Sequence, residues 1–387
     1  MLEPIEAGLS IPSVLAKIDV LSDLSIVIPT FHEVENIPII LDRINRLKEA
    51  YDLTLEVLFM DDGSNDGSVE AVIASGYSWA KLIERTGPRG LSAAVIDGFE
   101  RARYTVLICM DCDLSHPVEV IPQMVLALAT GQQFAVGSRY VSGGSTDDDW
   151  GIFRYLNSRV ATLLARPLTK VSDPMSGFFA MRREDFLNSD DLNPVGYKIA
   201  LEIIVKCHFN NVAEIPIHFS DRIHGESKLT LTEQLKYLKH VRRLYLHSFS
   251  NAMHLLQFLV VGASGVVVNL SVLSLLLLLN LPDTICLAGG IAVSVVTNFL
   301  LNRRFTFSYA RDRSIGKQFL GFISVSSFGI VVNYLVAMSA SKSGLADLTY
   351  GLHLSALAGI SCGMFFNYIG NRYVVFRKTR IHSDRAK

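Results

Sequence analysis

Two regimes of hydrophobicity divide the chain. Up to about residue 250, short apolar runs alternate with stretches whose apolar positions recur at helical spacing; from Leu255 onward, long uncharged segments take over. In the first regime Leu24–Pro29, Leu55–Met60, Leu82–Ile83, Val106–Cys109 and Phe134–Val136 are compact apolar runs of strand length. Between them, Ile37–Tyr51, Ser68–Ala74 and the stretch from Gly90 to Ala102 have the 3–4 residue apolar period of helices packed on one face. Strand and helix in strict alternation predict an α/β domain with a mostly parallel sheet covered by helices. Ligands of such sheets bind beyond the carboxyl ends of the strands, where Pro29, Asp62 and Asp111 fall.

In the second regime Leu255–Pro282, Thr284–Asn302, Gln318–Ser341 and Leu348–Asn371 contain essentially no charged residues. A bilayer-spanning helix needs ~20 mostly apolar residues, so the pattern predicts four transmembrane helices. Arg303, Arg304, Arg311, Arg313 and Lys317 lie between the second and third spans, and Arg372, Arg377, Lys378 and Arg380 follow the fourth. The other two connections have no basic excess, which places the N-terminal domain, the middle loop and the C-terminus in the cytoplasm. The spans also repeat. Asn298-Phe299-Leu300-Leu301-Asn302-Arg303 matches Asn367-Tyr368-Ile369-Gly370-Asn371-Arg372, and Gln257-Phe258-Leu259 matches Gln318-Phe319-Leu320. Two hairpins of like orientation are expected, with Asn269, Asn298, Asn333 and Asn367 facing inward and hydrogen-bonding between helices.

Composition changes this picture little. Half of the residues are hydrophobic, which the membrane segments account for, and the net charge of −1 gives no sign of a nucleic-acid partner. Met1–Asp23 lacks a basic stretch followed by an apolar core, so no signal peptide is expected. Cys109 and Cys112 are three apart on a strand, pointing to opposite faces, which argues against a redox pair. Thr230–Ser250 carries Leu231, Leu235, Leu238, Val241 and Tyr245 at helical spacing with Lys236, Lys239, Arg242 and Arg243 between them, a basic amphipathic helix suited to a membrane surface. Leu156, Val160, Leu163 and Leu164 suggest a second such helix.

The chemistry concentrates in Met110-Asp111-Cys112-Asp113-Leu114-Ser115-His116-Pro117. Two carboxylates one residue apart at a strand end suit a hard cation whose remaining ligands are phosphate oxygens. Arg139, Arg222 and Lys228 could neutralise those phosphates.

Taken in order, Pro29–Glu33, Asp61–Asp66, Gly90–Ser92, Met110–Pro117, Gly137–Tyr140, Asp173–Phe178 and Arg222–Lys228 resemble the polyprenyl-phosphate (dolichol-phosphate) mannosyltransferases, inverting and metal-dependent nucleotide-sugar glycosyltransferases. The four-span tail resembles the GtrA-like membrane domain. The resemblance implies a Rossmann-like nucleotide-sugar domain at 24–228, interfacial helices at 229–253 and a four-helix membrane domain at 254–378, with an N-terminal extension at 1–23 and a tail at 379–387. It implies GDP-mannose as donor and a polyprenyl (dolichyl) phosphate as acceptor, with Mg²⁺ or Mn²⁺ held by Asp111, Asp113 and Ser115. Relatives often carry Gln at the position of Ser115. Pro29, Phe31, Glu33, Met60 and Asp62 would hold the guanosine, and Asp111, Cys112 and Asp113 would line the diphosphate. Arg139, Arg222 and Lys228 would contact phosphates; Arg154 and Ser158, with Arg139, would bind the acceptor phosphate. Phe31 stands where Tyr is common and His32 where Asn is common. The membrane domain is expected to anchor the enzyme and assist homo-oligomerisation. Two alternatives stay open at this point: a glucosyltransferase using UDP-glucose, and a lipid-linked sugar flippase. A processive synthase is disfavoured, because the chain lacks a Gln-x-x-Arg-Trp motif.

Overall fold

A computed structural model describes residues 23–146, 152–190, 192–193, 198–220, 231–343 and 351–377. The chain forms two compact units, Met1–Ser248 and Phe249–Lys387.

The first unit begins with β1 (Asp23–Thr30), α1 (Ile37–Tyr51), β2 (Thr54–Asp61), α2 (Ser68–Ala74), β3 (Ala80–Glu84), α3 (Leu91–Arg101) and β4 (Val106–Cys109). It continues through α4 (Ile121–Ala129), β5 (Phe134–Ser138), β6 (Ser145–Thr146), α5 (Ile152–Ala165), β7 (Phe179–Arg182), α6 (Arg183–Leu187), α7 (Ile199–Lys206), β8 (Val212–Pro216), β9 (His218–Phe219) and α8 (Leu231–Ser248). The seven-stranded sheet has the order β3-β2-β1-β4-β7-β5-β8. Its strands are apolar on both faces because helices cover both: β4 is buried along its whole length, and α1 buries Ile37, Ile40, Leu41, Ile44 and Leu47. The predicted alternation is therefore present, and the five predicted strands are β1 to β5.

One strand departs from the pattern. β7 runs antiparallel to both β4 and β5. A strand entered from the opposite end starts where its neighbours finish, so the segment Asp173–Phe178 leading into β7 arrives at the rim formed by the ends of β1, β2, β4 and β5. The order β2-β1-β4 also reverses direction between β1 and β4, which opens a crevice at their carboxyl ends.

The amphipathic segment does not stand apart as a separate layer. α8 packs on its own unit: Val241 and Leu244 are buried with Ala165, Leu201 and Val205, and the Tyr237 and Tyr245 hydroxyls donate to the carbonyls of Ala161 (2.6 Å) and Leu164 (3.0 Å). Its other side leaves Leu235 and Leu238 exposed beside Lys236, Lys239 and Arg242. The helix is thus half core element and half basic apolar surface.

The second unit consists of α9 (Ser250–Leu278), α10 (Asp283–Leu301), α11 (Ile315–Lys342) and α12 (Gly351–Gly370). Among the described residues three helices are long and apolar enough to cross a membrane: Ser250–Leu278, Asp283–Thr306 and Ile315–Lys342. The fourth expected span corresponds to α12. The internal repeat is visible in the packing. Asn298 lies against Gly265 and Asn269 against Gly290 in the first hairpin; Asn367 lies against Gly329 and Asn333 against Gly359 in the second. The four asparagines face inward as expected, but they fill the space that glycine leaves. Among the described residues, the buried Oδ1 atoms of Asn298 and Asn367 have no hydrogen-bond partner. Both hairpins end in a π-helical turn, Asn302–Thr306 and Asn371–Val375. The amides of Phe307 and Phe376 close these turns onto the carbonyls of Asn302 and Asn371, both at 2.8 Å. The two rings then stack on each other, centroids 4.9 Å apart.

Candidate active site

The rim is built from short loops that hydrogen-bond to one another. After β2, the buried Asp61 carboxylate accepts from the amides of Gly63 (2.9 Å) and Ser64 (2.8 Å) and from the Ser64 hydroxyl. Ser64 Oγ in turn accepts from the His32 amide at 2.9 Å, so the β2–α2 loop fixes the β1–α1 loop. Phe31 projects from that loop, partly exposed, with the Arg89 guanidinium 5.8 Å from its ring centre. Glu33 accepts from Asn36 Nδ2 at 2.6 Å. Asp62 pairs with the buried Arg85 and accepts from the Gly90 amide at 2.8 Å. Pro29 is half-buried at the end of β1. Met60 lies wholly in the core beneath Gly98, so it shapes the floor and presents no side chain to the rim.

Beyond β4, Asp111 is partly exposed and Asp113 is buried. The loop turns just after them at Leu114, whose φ of +62° is rare for a bulky residue. Ser115 Oγ donates to Asp113 Oδ1 at 2.5 Å and its amide reaches the same oxygen at 3.2 Å. A hydroxyl that donates keeps its lone pairs, so this Ser115 can both hold Asp113 and offer oxygen to a cation. His116, also buried, accepts from the Asp111 amide through Nδ1 at 3.0 Å and stacks on Phe178 with centroids 5.2 Å apart. Gly177 faces Asp111: a β-carbon there would sit 3.1 Å from Oδ2. The donor set of two carboxylates and a hydroxyl is all oxygen, which fits a hard divalent cation. Cys112 adds no thiolate. Burial pushes its thiol well above the usual range, and the carboxylates of Glu33, Asp113, Asp111 and Asp66 reinforce the shift. Those four carboxylates also show that the three strand ends converge.

The cationic wall comes from the other half of the sheet. Arg139, next after β5, forms a two-pronged pair with the fully buried Asp173, Nε to Oδ2 at 2.7 Å and a terminal nitrogen to Oδ1 at 2.8 Å. Burial opposes its charge, but the hydrogen bond and charge of Asp173 raise its pKa above the ordinary arginine value. Tyr140 extends this wall, its hydroxyl 2.7 Å from Ser158 Oγ and its ring 4.8 Å from the Arg159 guanidinium. Lys198 completes it, donating to the Met175 carbonyl at 3.4 Å. Burial and the neighbouring Arg139 bring its pKa down to about 8, against the opposing pull of Asp173 and Asp111.

The structure therefore brings together Asp111, Cys112, Asp113, Ser115 and Arg139 from the expected set, with Ser158 reached through Tyr140. Arg154 lies on α5 with its side chain outside the described residues, as Arg222 and Lys228 are altogether. Sequence reasoning gave no role to His116, Asp173 or Lys198. The first two sit inside the Met110–Pro117 and Asp173–Phe178 segments, and their tasks depend on partners placed by the fold. Lys198 stands alone between turn residues and α7, with no pattern to mark it.

Residues 25–188 match Glycosyl transferase family 2, and residues 257–376 match the GtrA/DPMS transmembrane domain. A dolichol-phosphate mannosyltransferase from Pyrococcus furiosus is 36% identical over 359 residues, covering 91% of this chain and 99% of that protein. The chain belongs to the dolichol-phosphate mannosyltransferase family. Other relatives align over shorter stretches: a dolichol-phosphate mannosyltransferase from Mycosarcoma maydis is 42% identical over 235 residues, covering 58% of this chain and 80% of its own. A polyprenol monophosphomannose synthase from Mycolicibacterium smegmatis is 34% identical over 218 residues, covering 53% of this chain and 80% of its own. This mannosyltransferase-family chain is a glycosyltransferase and, with its long apolar helices and matched transmembrane domain, a membrane protein.

Proposed function

We propose that the enzyme transfers mannose from GDP-mannose to the phosphate of a polyprenol such as dolichyl phosphate, inverting the anomeric carbon, at the cytoplasmic face of a membrane. The observation that carries this reading is that the oxygen donors Asp111, Asp113 and Ser115 share one rim with the cations Arg139 and Lys198, both near enough to Asp111 to feel its charge. Likeness over the full length to a dolichol-phosphate mannosyltransferase supports the choice of sugar and acceptor.

Two anions must meet in this reaction, the nucleotide diphosphate and the lipid phosphate. A phosphate monoester carries about −1.5 to −2 charge near neutral pH and is already a nucleophile, so no general base is required. Asp111, Asp113 and Ser115 would hold Mg²⁺ or Mn²⁺, which when bound offsets charge on the diphosphate leaving group. Arg139, oriented by Asp173, has its fork fixed before substrate arrives, so little reorganisation accompanies reaction. Lys198 is largely protonated at neutral pH, and an incoming phosphate would favour its charged form further. His116 and Gly177 position Asp111. Phe31, Glu33 and Asp62 form the nucleoside end, and Tyr140 links Arg139 to Ser158 on the acceptor side. Leu235 and Leu238 on α8 and Val160 and Leu163 on α5 are exposed apolar positions that suit docking at the bilayer surface, where a polyprenyl phosphate presents its head group.

The test is a product assay. Purified protein receives a polyprenyl phosphate, Mg²⁺ or Mn²⁺, and GDP-mannose or UDP-glucose separately. A metal-dependent mannolipid from GDP-mannose alone is expected. A glucolipid from UDP-glucose alone overturns the donor, and no product from folded protein overturns the reading.

A further inference from the structure

A second cluster of ligand atoms lies away from the rim. Asp190 follows α6, His208 follows α7 and His247 occupies the last turn of α8. His247 Nε2 is 3.4 Å and His208 Nε2 3.7 Å from the same oxygen, Asp190 Oδ2, and the three ligand atoms lie within 4.8 Å of one another. We propose that these residues form a binding site for a divalent transition metal, with Zn²⁺ the best fit, that fastens the end of α8 to the catalytic unit.

Geometry favours this over two incidental ion pairs. Metal–ligand distances of ~2.0–2.1 Å in a tetrahedral zinc site put neighbouring ligand atoms roughly 3.3–3.4 Å apart. The two separations to Asp190 are already near that edge, so small side-chain rotations would complete the site. Both imidazoles turn Nε2 toward one carboxylate oxygen, and their rings lie nearly parallel, centroids 6.0 Å apart. Three protein ligands on an exposed surface leave a fourth position for water and an open entry path. Two imidazoles and one carboxylate select Zn²⁺, Co²⁺ or Ni²⁺ over Mg²⁺, the reverse of the preference at the all-oxygen Asp111–Asp113 site. Cys207 is adjacent in sequence but does not join. Burial pushes its thiol up to about 12, with Asp185 and Asp190 adding to the shift, and its Sγ is directed at the Asp185 carbonyl, 3.8 Å away.

The position gives the site a consequence. α8 is the last helix before the membrane unit, and its final turn is where the metal would bind. Zn²⁺ at this point would resist fraying of that turn and hold α8 against α7.

The test uses the full chain in detergent with saturating Mg²⁺ to occupy the oxygen site. Zn²⁺ is titrated against a chromophoric chelator, comparing wild type, the double variant His208→Ala/His247→Ala, and Asp113→Ala. The expected result is one equivalent of Zn²⁺ bound by wild type and by Asp113→Ala. The double variant should bind at least ~10- to 100-fold more weakly, the loss usual for removing even an outer-shell partner. Zn²⁺ should also raise the thermal midpoint of wild type and not of the double variant. Co²⁺ should give the strong visible absorption of a four-coordinate site in wild type. Equal zinc binding by wild type and double variant, or no zinc retained by wild type after dialysis against Mg²⁺, overturns the proposal. The variants leave the rim intact, so loss of zinc with unchanged mannosyl transfer separates this site from the catalytic reading.

Discussion

Gly177 and Asp113 show how narrowly the rim is drawn at the scale of single residues. Alanine at 177 would bring a methyl group to 3.1 Å from Asp111 Oδ2, tighter than ordinary contact, and either the carboxylate or the β7 approach must give way. Misplacement of reacting groups by ~1 Å can cost about 100-fold in rate, and a shift of a few tenths of an ångström should cost less. Gly177→Ala is therefore expected to lower kcat by about 10-fold with an unchanged circular dichroism spectrum, as initial-rate measurements would show. Asp113→Ala removes a charge and frees the Ser115 hydroxyl at once. Its turnover should fall by at least ~100-fold, the usual cost of losing a group that stabilises transition-state charge. The fold should survive, because the surrounding strands β1 and β4 keep their apolar contacts. Normal turnover of folded Asp113→Ala at saturating metal would remove this residue from the site.

At the scale of elements, α8 is held to α7 by a buried pair. His240 Nε2 lies 3.2 Å from Glu202 Oε2, with Lys206 and the Asn193 amide on the other oxygen at 2.9 and 2.7 Å. Burial works against the Glu202 charge, yet His240, Lys206 and Asn193 together bring its pKa from 4.5 down to about 2. A depressed carboxylate contributes stability that is complete above its unfolded value and is lost as protons bind on the way down to the folded one. Wild type should therefore lose stability relative to Glu202→Gln as pH falls from about 4.5 to about 2, with the difference level above that window. Denaturant midpoints for both proteins across the window would measure it. Elements of this kind were also the most legible part of the chain. β1 to β5 and α1 to α3 followed from apolar periodicity because both faces of the sheet are covered and the runs are unbroken. The parallel strands were legible from the alternation with helices, but the reversed strand β7 was not, because its short run is not set off by a preceding helix of clear period, and with it the reason Asp173 reaches Arg139 stayed hidden. Asp111 and Asp113 were legible because a two-carboxylate loop at a strand end is a local feature. His116 and Lys198 were not, because each matters only through a partner that folding brings near.

At the scale of the whole molecule, two architectures meet in one chain, a sheet domain built for anions and a duplicated pair of helical hairpins. In each hairpin an asparagine fits where a neighbouring glycine lacks a side chain, so a branched side chain at that glycine has nowhere to go. Gly329→Leu would drive into Asn367, and Gly265→Leu into Asn298. Either should destabilise the membrane unit by about 1–3 kcal/mol, the usual cost of overpacking. Lowered thermal midpoints in detergent, similar for the two variants, would express the repeat in energies as well as in sequence. A midpoint equal to wild type for either would show that the helices part easily at that contact.

The reversed strand has a last consequence, for how such a protein can change over evolutionary time. The chain visits the rim first at the ends of β1, β2 and β4 and again at the end of β5 with Arg139; because β7 runs against its neighbours, it then returns a last time with Asp173, just before that strand. On the proposed reading, the nucleoside and metal contacts are written early in the gene and the acceptor contacts later, with Arg139 shared between the two phosphates. Each half is free to drift toward a new molecule while the other keeps its own. A lineage could thus acquire a new recipient for the same sugar by recombining a single contiguous stretch of coding sequence.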